Sequence, residues 1–124
     1  KFKQIKEVVA ATGVKIIAGT DVLNPFCFPG FSLHDELELL VEAGLPPLTA
    51  LQTATINAAE FLGKTDKYGT IEVGKIADLV LLEDNPLENI SNTTKIAGVI
   101  LNGVFFSKQD LSEMLKKLKQ VSGN

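Results

Sequence analysis

Gly19-Thr20-Asp21 sets a carboxylate directly after a short apolar run, Val14-Lys15-Ile16-Ile17-Ala18, that is rich in β-branched residues. Such a run reads as a strand covered on both faces, as in a parallel sheet. In α/β sheets the reactive groups gather at the carboxyl ends of strands, which makes Asp21 a candidate for chemistry. A carboxylate in that place can bind a metal ion, or take a proton from metal-bound water and pass it to a leaving nitrogen. By spacing alone the plainer reading, a turn former or helix cap, is favoured. His34 is the single histidine. A catalytic zinc site takes about three protein ligands, so a structural or supporting role for His34 outweighs a ligand role. Cys27 with His34 suggests a thiol nucleophile, a reading that needs close geometry and a third orienting group, and a packed or loop thiol is favoured instead. Phe26, Phe28 and Phe31 either line a substrate pocket or anchor their loop, and the two readings stand even. Phe26, Phe28 and His34 are the candidate substrate-contacting residues.

The elements that must position these groups follow from periodicity and punctuation. Phe2, Ile5, Val8 and Val9 have helical spacing from the outset, so a helix is expected over 2–12, closed by Gly13. Because the chain opens on Lys1 rather than Met, it is expected to begin inside an element. After the strand at 14–18, residues 22–32 carry two prolines, a glycine and three phenylalanines without periodicity, which predicts an ordered loop of the kind that shapes binding sites. Ser32 precedes a helix carrying Leu33, Leu37, Leu40 and Val41, with Asp35 and Glu36 placed to suit the helix dipole and Gly44 as its stop. Pro46-Pro47 opens a second helix with Leu48, Leu51 and Ala54 on one face. A break at Thr55 to Asn57 leads to a short helix through Ala58, Ala59, Phe61 and Leu62, with Asn57 as its expected cap and Gly63 as its stop.

From Lys64 the texture turns from helical to β-rich, so a boundary is expected near 64–68: residues 1–64, then 65–109, then a closing helix over 110–124. Asp78 to Leu82 reads as a strand. Ile96–Leu101 and Val104–Phe106 flank Asn102-Gly103, a pair suited to a type I′ hairpin turn. The chain has 124 residues, 45% of them hydrophobic and 22% charged, the balance of a soluble globular domain. A net charge of −3 and scattered basic residues argue against nucleic acid as partner, and no apolar run reaches the roughly 20 residues that span a bilayer. The lone Cys27 leaves the redox compartment undecided, and the cellular location with it.

In order along the chain stand AGTD, ELxxLVEAG, ALxxAT, NAAEFLG, GTIEVGKxADLVLL and NG. From Val14 to about Val104 this combination resembles the amidohydrolase superfamily, in the branch that includes imidazolonepropionase-like and Xaa-Pro dipeptidase-like enzymes. The resemblance implies an α/β fold: the C-terminal fragment of a (β/α)8 barrel, with residues 14–18 as its eighth strand, plus part of a small composite β-sandwich. It implies that Asp21 is the aspartate that binds metal and shuttles a proton. The family's other metal ligands, an HxH pair after the first strand and histidines after the fifth and sixth, are not in this chain. A divalent metal, with zinc as the first choice, is therefore expected in the parent enzyme and not on this chain alone. The implied substrate is a small amide, cyclic amide or dipeptide-like molecule. A barrel of this type takes about 250 residues, so an oligomer or a complement supplying the missing barrel portion is expected. The missing ligands also motivate a second reading, a catalytically silent structural fragment or interaction module.

Overall fold

The computed structural model describes residues 3–21 and 27–122. Helix α1 runs over Lys3–Thr12, α2 over Ser32–Glu42, α3 over Pro47–Thr53, α4 over Ile56–Phe61 and α5 over Lys108–Ser122. Strands β1 (Leu79–Leu82), β2 (Ile96–Leu101) and β3 (Val104–Ser107) form an antiparallel sheet in the order β1-β2-β3, giving a mixed α/β chain. Among the described residues no helix is long and apolar enough to cross a membrane.

Helices α1, α2 and α4 stop where the sequence supplies left-handed glycines. At the end of α2, Gly44 takes φ 98° and donates its N–H to the Val41 carbonyl, while Leu45 N–H reaches the Leu40 carbonyl. Gly63 repeats this paired closure after α4, with Gly63 N–H to Glu60 and Lys64 N–H to Ala59. Proline stands at the start of α3, where its missing N–H costs nothing. The hairpin turn forms as expected, since Asn102 (φ 49°) and Gly103 (φ 81°) are both left-handed. Asp78 fixes the turn further by accepting the Asn102 N–H at 2.6 Å.

Burying the apolar faces of α2 and α3 against each other makes the main core: Leu37, Leu40, Leu45 and Ala50, joined by Ile90 from a short 3-10 helix over Ile90–Thr94. Val9, Ile16, Val41, Leu51 and Ala54 pack around it. The 3-10 helix lies between β1 and β2, where the sequence assigns no element. Asn89 caps it by accepting the Ser91 N–H at 3.0 Å.

Two expectations are corrected. Residues 14–18 form no strand, because a parallel strand needs neighbours to take its N–H and C=O groups and none lies beside it among the described residues. Helices supply partners instead: Ala18 N–H donates to the Thr53 carbonyl at 3.1 Å, and Asn57 Nδ2 donates to the Ile16 carbonyl at 2.9 Å. That second bond is also the other correction. Thr55, not Asn57, occupies the cap position of α4, and the Asn57 amide is committed to the 13–21 segment.

Candidate functional site

Asp21 closes the 13–21 segment, exposed and in the left-handed region at φ 49°. Asp tolerates that conformation better than most residues, yet it persists only where the surroundings fix it. The surroundings here come from three helices. Thr53 of α3 and Asn57 of α4 hold the backbone at Ala18 and Ile16. Lys15 pairs with Glu60 of α4 on the outside. From α2, Glu36 Oε1 accepts the Gly19 N–H at 2.9 Å, and Ser32 Oγ lies 3.1 Å from Thr20 Oγ1 and 3.1 Å from the Phe28 carbonyl. The run Gly19-Thr20 is thus laid along the first two turns of α2, and Asp21 follows it.

Glu36 was expected to serve the helix dipole. It is instead a backbone acceptor, and its second oxygen, Oε2, is buried without a hydrogen-bond partner among the described residues. A signal for this was present in the sequence: Ser32 and Glu36 are spaced i,i+4 beside the buried Leu37 and Leu40, so they form a polar stripe against the core rather than on the solvent face. Asn57 and Thr53 carried no comparable signal.

The other candidates are distributed as follows. His34 is half-buried on α2, and its Nδ1 lies 3.1 Å from Oγ1 of the buried Thr93, tying α2 to the 3-10 helix. Phe28 is 64% exposed, so its ring is available at the surface. Phe26 lies outside the described residues. Cys27 is a half-buried free thiol. A pocket of about 210 Å³ is lined by Val9, Val14, Ile16, Leu45, Gln52 and Asn57 among others; it sits at the start of the 13–21 segment, and Asp21 does not line it. Among the described residues no group of three His, Cys, Asp or Glu side chains comes together to hold a metal ion. Asp21 is one carboxylate, which fits one ligand position of a metal site and no more.

Residues 1–105 match the model of the amidohydrolase family. That span is most of the chain, and the chain belongs to the amidohydrolase family. Adenine deaminase of Clostridium botulinum (strain Loch Maree / Type A3) is 41% identical over 68 residues, 55% of this chain and 10% of that protein. Imidazolonepropionase of Geobacillus sp. (strain WCH70) is 43% identical over 81 residues, 60% of this chain and 19% of its own length. A solved Xaa-Pro dipeptidase with methionine bound in its active site superposes with a TM-score of 0.73 at 37% identity, covering 86% of this chain and 24% of that one. The chain therefore spans a tenth to a quarter of these three proteins.

Proposed function

We propose that this chain is a portion of a metal-dependent hydrolase that cuts C–N bonds, and that Asp21 is the carboxylate it contributes to catalysis. The observation carrying the proposal is that the family match runs through Gly19-Thr20-Asp21 while α2 holds Gly19 and Thr20 and α3 and α4 hold the residues just before them, Ala18 and Ile16. On this reading residues 1–64 are the end of a (β/α)8 barrel, 65–109 are the C-terminal share of a β-sandwich, and 110–124 close the chain.

Amide hydrolysis needs a proton removed from the attacking water and a proton given to the departing nitrogen. Asp21 performs both: it accepts the first as the C–O bond forms and returns it as the C–N bond breaks, ending as the carboxylate it began as. A divalent metal, zinc in the first instance, supplies Lewis-acid polarisation of the carbonyl when bound. Asp21 is the ligand this chain offers, and the remaining ligands belong to the rest of the enzyme. On this reading Phe28 and His34 border the substrate, and Phe26, which lies outside the described residues, is proposed to do so with them. The imidazolonepropionase and Xaa-Pro dipeptidase relatives make a cyclic amide and an acyl-proline dipeptide the first substrates to try.

The test is hydrolysis of such a panel by the complete enzyme, with and without a chelator. Turnover that disappears with the chelator and returns with added zinc supports the reading; chelator-insensitive turnover contradicts it.

A further inference from the structure

We infer that Glu36 is the positioning residue for Asp21, an inference that rests on Asp21 being the catalytic carboxylate. Glu36 Oε1 accepts the Gly19 N–H at 2.9 Å, two residues before Asp21. Its other oxygen is buried with no partner among the described residues. Leaving half a carboxylate buried and unmatched is unfavourable, since a charged group loses hydration that nothing returns. An apolar side chain would satisfy the core of α2 with less penalty. What a carboxylate adds at this position is a strong, directional acceptor for one backbone N–H.

That N–H is a sensitive one. Ala18 N–H is fixed to α3 by the Thr53 carbonyl, so the last freedom before Asp21 lies at Gly19 and Thr20. Asp21 itself sits at φ 49°, a conformation that relaxes unless its neighbours are held. Gly19, having no side chain, can be held only through its backbone. The Glu36 bond does this from the second turn of α2, and Ser32 at the helix start approaches Thr20 on the same stripe. Removing the acceptor releases Gly19-Thr20 and lets the Asp21 carboxylate drift from the place where it must meet the proton.

The experiment uses the complete enzyme with Glu36→Ala, Glu36→Gln, Glu36→Asp and, in parallel, Asp21→Asn. Each is measured by kcat and KM separately and by hydrogen exchange at the Gly19 amide. A displaced catalytic group costs on the order of a hundredfold, so Glu36→Ala is expected to lower kcat by about 10–100-fold with KM within about threefold. The Gly19 amide is expected to exchange at least about tenfold faster. Glu36→Gln keeps an acceptor oxygen and is expected to stay within about threefold of the parent in kcat, with Gly19 protected. Glu36→Asp keeps the charge but falls one methylene short, and is expected to lose activity as Ala does. If Glu36→Ala does not fold, the Gln and Asp variants carry the comparison. Unchanged Gly19 exchange in Glu36→Ala, or in Glu36→Asp when Ala does not fold, overturns the inference. So does faster exchange at full kcat, or a Gln variant as impaired as Asp. An active Asp21→Asn refutes the role of Asp21 and the inference with it. An inactive Asp21→Asn beside a fully active Glu36→Ala refutes the inference alone.

Discussion

Asn57 donates its side-chain amide to the Ile16 carbonyl across 41 residues of sequence, and the bond is partly buried. Losing it leaves a carbonyl without a donor, so Asn57→Ala is expected to destabilise the complete enzyme by about 1–2 kcal/mol. Asn57→Asp is expected to be worse, because a carboxylate facing a carbonyl has nothing to donate; a thermal melt ranking Asp as the milder change would contradict the assignment. Residues of this kind were beyond the reach of the sequence. Asp21 could be singled out because its signal is local, an acid after an apolar run. The polar stripe of Ser32 and Glu36 was there to be read, but Glu36's partner Gly19, 17 residues away, and the partner of Asn57 could not be assigned because they are set by how the helices dock. Phe28 and His34 were legible as loop and helix-start residues, but not His34's bond to Thr93.

At the scale of elements, α5 begins with a reciprocal cap. Asp110 Oδ2 accepts from Ser107 Oγ at 2.6 Å and from Ser107 N–H at 2.8 Å, while Asp110 N–H donates back to Ser107 Oγ at 3.2 Å. The hydroxyl bond first, and the backbone bond after it, hold the Asp110 carboxyl below its ordinary value. A carboxyl depressed in the fold stabilises above its unfolded value, and that contribution is lost as pH falls through the folded one. The cap is therefore expected to persist through neutral pH and to weaken only below about pH 4. Carbon-13 titration of Asp110 checks this: Ser107→Ala should raise the midpoint, and an unmoved midpoint would contradict the cap. In the sheet, Gly98 faces the Phe105 ring, where an added Cβ would come within 2.6 Å of Cε2. Gly98→Val is expected to cost about 1–3 kcal/mol by overpacking, and an unchanged melting temperature would contradict that contact. The helices and the hairpin were legible because their periods, stops and turn residues are local. The strand at 14–18 was not realised because pairing is not a property of one segment, and the 3-10 helix was missed because five residues carry no period.

Taken whole, the chain shows apolar faces that its own elements do not cover: Ile71 is 84% exposed, Phe61 78%, and Leu48 and Val80 more than half. Faces of this kind normally mark contact surfaces, and on the proposed reading the rest of the barrel covers them. The 124 residues alone are thus expected to self-associate, or to bind the remaining portion when it is supplied separately. A monodisperse monomer in sedimentation, indifferent to that portion, would contradict this. The family was legible from the ordered motifs, since they run through most of the chain; the ligand set was not, since one carboxylate cannot specify a metal site. The central claim is that Asp21 carries the proton in C–N hydrolysis, and kcat of the complete enzyme with Asp21→Asn tests it most directly. Because general acid–base catalysis contributes about 10²–10⁴-fold, kcat is predicted to fall by at least about a hundredfold with the fold intact, and turnover equal to that of the unaltered enzyme would contradict it.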